Sequence, residues 1–224
     1  MPTGDLLRGS AGASTAIRVT PAQQRAERRL DALLDTAAEI VDDVGAELIT
    51  TAQVAERSGA SIGTVYRYFP DRLAVLRALR ERCVQRFRDR LAAAIGEEAL
   101  DDPWHVVERS VVAAVDCYRH EPGFRVVRVV ERDRSVGDDG LLAAVFADDL
   151  AAFVQEHFGL PADSTLRRRF DVAIEVADSL MARAFAADPA GDEWYIDECL
   201  SILREYLGDS FGLNEEQARA TSVA

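Results

Sequence analysis

The chain has 224 residues, of which 48% are hydrophobic and 29% are charged, a composition typical of a folded helical protein rather than a disordered one. No apolar run reaches the ~18 residues that a membrane span needs. The N-terminus also lacks the basic start and apolar stretch of a signal peptide. We therefore expect a cytoplasmic protein with no membrane partner.

Charge divides the chain into two unequal parts. The formal net charge of −13 argues at first against a nucleic-acid partner, because phosphate binding draws on Lys and Arg. Residues 1–95, however, contain 14 Arg and 12 acidic residues, a net of +2, whereas residues 96–224 contain 12 Arg and 27 acidic residues, a net of −15. Any contact with phosphate is therefore expected in the N-terminal part.

The cysteines give no sign of a metal or redox site. Cys83, Cys117 and Cys199 are widely spaced and form no CxxC pair, so we interpret them as buried thiols. Cys117 and His120 lie three residues apart on a predicted helix, but two ligands do not make a zinc site. The sequence predicts no metal and no cofactor.

Apolar periodicity and turn residues predict helices along most of the chain. Residues 1–20 have no period and are rich in small residues, so we expect a flexible arm. The predicted helices span 21–44, 51–58, 61–68, 72–95, 103–120, 123–134, 140–158, 163–187 and 192–210. No stretch alternates with period two for long enough to form a strand, so we predict an all-α protein.

Local signals set the expected helix ends. Gly45 is expected to end the first helix in a left-handed conformation, and Gly96 to end the fourth. Thr51, Ser61 and Asp71 are expected to cap the second, third and fourth helices.

The segment "TTAQVAERSGASIGTVYRYFPDR", residues 50–72, has the spacing of a helix-turn-helix. Ala55 is the small residue where two helices meet and Gly59 tolerates a left-handed turn, while Val54 and Val65 can lock the second helix onto the first. The second helix is then a candidate to enter the major groove. The turn alone leaves an ordinary helical hairpin equally open.

The residues after the turn favour DNA. Tyr66, Arg67 and Tyr68 lie on a helix of barely two turns and cannot all be buried, so some of their polar groups must face water or a partner. Arg72 begins the next helix, where a cation is unfavourable to the helix dipole unless an anion is near. A phosphate would supply that anion.

The run "GAELITTAQVAERSGASIGTVYRYFPDRLAVLRAL" resembles part of the DNA-binding domain of the TetR (tetracycline-repressor-like) family of bacterial regulators. The whole resemblance covers about residues 22–80. The resemblance implies about nine helices, with three binding DNA and the rest forming a ligand-binding and dimerisation domain. The expected domains are an arm at 1–20, a helix-turn-helix domain at 21–71, a helical domain at 72–212 and a tail at 213–224. The implied DNA contacts are Thr51, Ser61, Ile62, Gly63, Thr64, Tyr66, Arg67, Tyr68 and, on phosphate, Arg72.

Two of these residues depart from a polar recognition surface. Ile62 and Gly63 open the recognition helix with little hydrogen-bonding capacity, which leaves contact with thymine methyl groups or close backbone approach. Base readout is then expected to rest on Thr64, Arg67 and Tyr68.

The last two predicted helices are apolar on more than one face, which suits a single monomeric core or a helix that also covers a partner subunit. A protein that reads a palindrome needs two-fold symmetry, so we favour a homodimer. The expected interface residues are Phe170, Ile174, Ala177, Met181, Ile196, Leu200, Leu203 and Leu207.

The middle helices are expected to supply a pocket for an effector. Apolar residues would line it and a few polar groups would orient the ligand. The candidates are Trp104, His105, Val111, Tyr118, Phe124, Arg128, Phe146 and Phe153.

The sequence contains no phosphate loop, nucleophile elbow, HExxH or dinucleotide fingerprint, so an enzyme is disfavoured. We expect a ligand-responsive regulator, a repressor that binds a palindromic double-stranded DNA operator as a dimer and is released by a small hydrophobic or aromatic effector. The alternative is a helical dimer that acts only through protein partners.

Overall fold

The computed structural model describes residues 21–97, 100–126, 142–160 and 164–212, and within these ranges all regular structure is helical. The predicted all-α class is thereby confirmed. None of the described helices has the length and apolarity needed to cross a bilayer. The described residues form eight helices, α1 (Pro21–Val44), α2 (Thr51–Ser58), α3 (Ile62–Tyr68), α4 (Arg72–Glu97), α5 (Pro103–His120), α6 (Leu142–Phe158), α7 (Ser164–Ala184) and α8 (Glu193–Phe211).

The described residues form two compact units by their packing. The first, which we call the head, contains residues 21–86 and 120–126, and the second, the body, contains 87–97, 100–119, 142–160 and 164–212. The sequence placed a domain boundary between residues 71 and 72, at the start of α4. In the structure the first part of α4 packs with the head, together with the turn that follows α5.

The head is built on one face of α1. Leu33, Leu34, Ala37, Ala38 and Val41 lie on this face and are buried. Helix α1 packs against α2, and α2 against α3. A short apolar face on each helix is therefore enough to hold the three together, and their other faces stay exposed.

In the body, α7 packs against both α6 and α8. This arrangement gives the body a large apolar core of its own, with aromatic, aliphatic and sulfur-containing side chains. Its members on the last two helices include Phe170, Ala173, Met181, Ile196, Cys199, Leu203 and Leu207.

Two predicted helix ends are corrected by the structure. Gly96 lies inside α4, which continues to Glu97, so it does not end the helix. Gly123 has φ +75, outside the helical range, so the helix predicted from residue 123 does not begin there. The rest of that segment, the arm at 1–20, and the tail at 213–224 lie outside the described residues. By contrast, Gly45 ends α1 with φ +89, and Asp71 caps α4 by accepting from the N–H of Ala74 at 2.8 Å, as predicted.

The turn after α5 is fastened to the head by two polar contacts. Glu121, whose side chain is only 4% exposed, forms an ion pair with Arg86 of α4. The backbone N–H of Gly123 donates to Oδ2 of Asp42 on α1, at 3.0 Å. Both contacts lie within the head, so the turn belongs structurally to the helices that carry the helix-turn-helix.

Candidate nucleic-acid interface

Helix α2 begins at a capping box. The hydroxyl of Thr50 accepts a hydrogen bond from the N–H of Gln53 at 3.1 Å, and Oε1 of Gln53 accepts one from the N–H of Thr50 at 2.8 Å. The prediction that Thr51 caps this helix is therefore wrong by one residue. Thr51 is already helical and is only 9% exposed, so little of its surface is available to a partner. The capping box uses the N–H groups of Thr50 and Gln53 and leaves those of Thr51 and Ala52 outside it.

Helices α2 and α3 meet at the turn that the sequence spacing predicts. Gly59 is left-handed, with φ +69. Ser61 caps α3, its hydroxyl accepting from the N–H of Thr64 at 3.2 Å, as expected. Val54 and Val65 are both fully buried and hold the two helices together. The predicted helix-turn-helix is therefore formed.

Burial of Val65 fixes which face of α3 looks outward. Ile62 is 43% exposed and Tyr66 is 52% exposed, although both are large and partly or wholly apolar. Gly63 and Arg67 are exposed on the same short helix. The outward face of α3 thus combines an aliphatic side chain, a phenol, a bare stretch of backbone and a guanidinium.

Two further candidates on α3 have contacts within the chain. The hydroxyl of Tyr68 donates to the carbonyl oxygen of Ala26 on α1, at 3.5 Å, and the guanidinium of Arg67 lies 5.3 Å from the centre of the Tyr68 ring. The hydroxyls of Thr64 and Ser61 are 2.9 Å apart and share a hydrogen bond. These contacts orient both side chains and occupy part of their hydrogen-bonding capacity.

Arg72 is tied to the turn between α1 and α2. Its Nε and Nη2 both donate to the carbonyl oxygen of Ala46, at 3.3 and 2.9 Å. The partial negative charge of that carbonyl oxygen lies where the sequence analysis expected a phosphate. Arg72 therefore has a structural role in the head, in addition to any contact with DNA.

Comparison with known proteins identifies both parts of the chain. Residues 33–79 match the family model "Bacterial regulatory proteins, tetR family", and residues 101–211 match "Tetracyclin repressor-like, C-terminal domain". A TetR-family transcriptional regulator from Streptomyces coelicolor is 31% identical in its solved structure, with 83% of this chain and 98% of that chain covered and a TM-score of 0.67. The chain belongs to the TetR family of transcriptional regulators.

Two other proteins resemble this chain, one in sequence and one in fold. The transcriptional repressor KstR of Mycolicibacterium smegmatis is 27% identical over 206 residues, which are 90% of this chain and 82% of that protein. The solved SmeT–triclosan complex is 16% identical, with 78% and 91% of the two chains covered and a TM-score of 0.53, and shows a shared fold only. Membership of this family confirms the prediction of a regulator rather than an enzyme.

The residues predicted to bind an effector in this TetR-family regulator do not all lie in the same part of the structure. Trp104, Val111, Phe146 and Phe153 are buried together in the core of the body. His105 and Tyr118 are half-buried in the body, with Nδ1 of His105 3.3 Å from Oδ1 of Asp102 and the ring of Tyr118 stacked on Phe185 at 4.7 Å. Phe124 belongs to the head, and Arg128 lies outside the described residues.

The sequence did not single out a charged pair inside the body of this regulator. Nη2 of Arg88 lies 3.0 Å from Oδ2 of Asp149, and the guanidinium lies 5.5 Å from the centre of the Phe146 ring. Burial raises the pKa of Asp149, and the charge of Arg88 offsets part of that effect. The apolar periodicity of α4 and α6 carries no signal for this pair, because its two members are 61 residues apart.

Of the eight predicted dimer residues, five are buried within their own chain and three are half-buried. Ile174, Ala177 and Leu200 are half-buried against the body's core. The other five fill the core of their own chain, and the sequence did not distinguish them because the inward faces of α7 and α8 are as apolar as the outward ones. These are Phe170, Met181, Ile196, Leu203 and Leu207.

An exposed groove lies instead on the outer side of α7 and α8, with a volume of about 570 Å³. Val172 is 46% exposed and Ile202 37% exposed, values that are high for branched aliphatic side chains. At one end Arg169 donates to the carbonyl of Tyr206 at 2.9 Å, and at the other Arg183 donates to the hydroxyl of Tyr195 at 3.3 Å. The groove is lined by Asp171, Val172, Glu175, Val176, Ser179, Leu180 and Ile202.

The cysteines behave as the sequence predicts. Cys83, Cys117 and Cys199 are free and buried, and burial raises the pKa of Cys199 to about 11. Across the described ranges, no three His, Cys, Asp or Glu side chains come together as a metal ion would require.

Proposed function

We propose that this chain is a repressor that binds a palindromic operator as a homodimer, in the bacterial cytoplasm. The observation that carries the proposal is the outward face of α3, where Ile62, Tyr66 and Arg67 are exposed on a capped helix locked in a helix-turn-helix. A helix held in this way can enter the major groove with its N-terminal residues against base edges.

Phosphate contacts would fix the head on the duplex. The N–H groups of Thr51 and Ala52 lie outside the capping box of α2, and helix N-termini bind phosphate through such groups. Tyr66 is the exposed side chain on α3 best suited to a phosphate oxygen, and Arg72 would add charge beside its contact with Ala46. The net charge of −15 over residues 96–224 would keep the body away from DNA.

A second copy of this chain is the proposed occupant of the groove on α7 and α8. Four aliphatic residues line it together with Asp171, Glu175 and Ser179, and Arg and Tyr side chains lie near its ends, so it combines apolar surface with polar groups as protein interfaces do. Two-fold pairing through this face would give a dimer with two heads. Their recognition helices would then be expected about 34–36 Å apart, one turn of DNA.

An apolar or aromatic small molecule is the proposed effector. The support is the aromatic content of the body, including Trp104, Phe146 and Phe153, together with the half-buried pair of Arg88 and Asp149 as polar groups that could orient a ligand. SmeT, whose fold the chain shares, is the subject of a complex with triclosan. A ligand that favours one body conformation would alter operator affinity, with a coupling of typically ~1–3 kcal/mol.

Selection of bound sequences from a random duplex library, at two salt concentrations, tests the DNA-binding proposal. We expect enrichment of a palindrome and affinity that falls steeply with salt, because each phosphate contact releases counterions. Ile202→Asp is the matched control, since it should disrupt the dimer and reduce enrichment to half-sites. Failure to enrich any sequence at either salt would reject operator binding and favour a dimer that acts through protein partners.

The recovered operator then serves as the probe in an effector screen. Release of fluorescent operator would be measured against a panel of small compounds that ranges from hydrophilic acids to polycyclic aromatics. Release by apolar members supports the proposed effector class, whereas release only by hydrophilic ions contradicts it.

A further inference from the structure

Ile62 is an exposed aliphatic residue at the start of the recognition helix. It is the first residue of α3, follows the cap residue Ser61, and is 43% exposed, whereas Val65 on the opposite side is fully buried. A single exposed aliphatic residue is ordinary on a protein surface. Here, however, it stands at the end of the helix that would enter the major groove.

Gly63, the next residue, has no evident reason to be glycine in the free protein. A Cβ added there would meet nothing within 4 Å, and its φ is not in the left-handed region. Glycine in a helix interior is less favourable than alanine by about 1 kcal/mol, so the fold gains nothing from it. An absent side chain beside Ile62 instead leaves room for another surface to come close to the backbone.

The hydroxyl groups of Thr64 and Tyr68 have hydrogen bonds within the chain, which limits their use in reading bases. The hydroxyl of Thr64 shares a hydrogen bond with that of Ser61 at 2.9 Å, and the hydroxyl of Tyr68 is directed to the carbonyl of Ala26. What α3 presents at its start is therefore aliphatic surface and bare backbone. In the major groove the apolar group that distinguishes one base pair from another is the 5-methyl of thymine.

We infer that Ile62 packs against the 5-methyl group of one thymine in each operator half-site, with Gly63 allowing the close approach that this contact requires. The inference rests on the proposed operator binding. It assigns Ile62 as a specificity-determining residue whose ligand is a methyl group, in contrast to Arg67, whose exposed guanidinium can read guanine by hydrogen bonds.

The test uses the full-length protein and the operator recovered by selection. Each thymine is replaced in turn by deoxyuridine, which removes the 5-methyl group and keeps every hydrogen-bonding group. At one position per half-site we expect operator affinity to fall roughly fourfold, the factor that burial of one methyl-sized group gives. In Ile62→Ala the same replacement should have no effect, because the partner of the methyl is gone.

Val112→Ala is the control, because Val112 is an aliphatic residue, 56% exposed, that lies on α5 in the body. This variant should keep the full difference between thymine and uracil. The inference is overturned if no deoxyuridine replacement weakens binding, or if Ile62→Ala retains the same loss as the unmodified protein. Either result would leave sequence-specific binding intact, whereas absence of any selected operator would reject the proposed function itself.

Discussion

The backbone N–H of Gly123 donates a hydrogen bond to Oδ2 of Asp42, at 3.0 Å, and joins the turn after α5 to the first helix of the head. Gly123 is left-handed, with φ +75, and a Cβ at this position would lie 3.0 Å from Cα of Ala38 and 3.2 Å from Cδ2 of Leu79. Only a residue without a side chain fits here. The contact therefore depends on glycine for two separate reasons, backbone conformation and space.

Gly123→Ala should lower the free energy of unfolding by roughly 2–5 kcal/mol. A left-handed alanine costs about 1–2 kcal/mol, and forcing a methyl group against Ala38 adds an overpacking cost of about 1–3 kcal/mol. The measurement is urea unfolding followed by circular dichroism.

Gly159→Ala separates these two costs. Gly159 is also left-handed, with φ +67, but a Cβ there would meet nothing within 4 Å. It should lose only the conformational part, about 1–2 kcal/mol. Equal losses in the two variants would contradict the close approach of the turn to α1.

The raised pKa of Asp42 should make the stability of the folded state depend on pH in a known direction. Burial raises its pKa, and the hydrogen bond from Gly123 and the charge of Arg125 offset part of that increase. Just above the ordinary Asp value of ~3.9, the folded state therefore binds more protons than the unfolded state, and stability falls as the pH rises through that interval. At pH values above the raised pKa of Asp42, this loss of stability no longer changes with pH.

Asp42→Asn should remove this contribution while its amide oxygen still accepts from Gly123. We expect equal or slightly greater stability at pH 7, and a flatter profile of unfolding free energy against pH in the weakly acidic range. The change should be small, since Asp42 is partly exposed and water screens its charge. Glu39→Gln, an exposed acid on the same helix, is the control. A marked loss of stability in Asp42→Asn at pH 7 would show that the charge itself is required.

Local signals predicted the head in detail, because its turn, its apolar face and most of its caps are encoded within a few residues of one another. The spacing of Val54, Gly59 and Val65 was sufficient to define the helix-turn-helix. Thr51 was mistaken for the cap because it is also a threonine beside the helix start, but only Thr50 has a Gln three residues on, Gln53, that can complete a capping box.

The body was less predictable because its helices are apolar on two faces. Periodicity identified α7 and α8 but could not say which stripe faces inward, so the buried Phe170 and Leu203 were named as interface residues and the exposed Val172 and Ile202 were not. Pairs distant in sequence, such as Arg88 with Asp149, leave no local pattern. The contact of Gly123 with Asp42 spans 81 positions and was missed for the same reason.

Val172→Asp and Ile202→Asp should each produce a monomer at concentrations where the unmodified protein is a dimer. A carboxylate placed in an apolar interface without a partner costs several kcal/mol, so the dimer dissociation constant should rise at least ~100-fold. Sedimentation velocity over a concentration series measures it. Val112→Asp, which changes an exposed residue outside the groove, should leave the dimer intact. Dimers of undiminished affinity in both groove variants would reject α7 and α8 as the interface.

Arg67→Ala and Tyr66→Phe should differ in kind as well as in size. Arg67 has an exposed guanidinium on the outward face of α3, and removal of a base-reading arginine should cost about 1–3 kcal/mol at one base pair and relax the preference there. Tyr66→Phe removes only a hydroxyl proposed to lie on phosphate. It should weaken binding to every sequence by a similar factor and leave the selected consensus unchanged. Parallel selection with both variants, followed by affinity measurements on operators changed at single base pairs, makes the comparison. If both variants weaken all sequences alike, Arg67 does not read a base, and specificity would then rest on Ile62 and on the shape of the DNA.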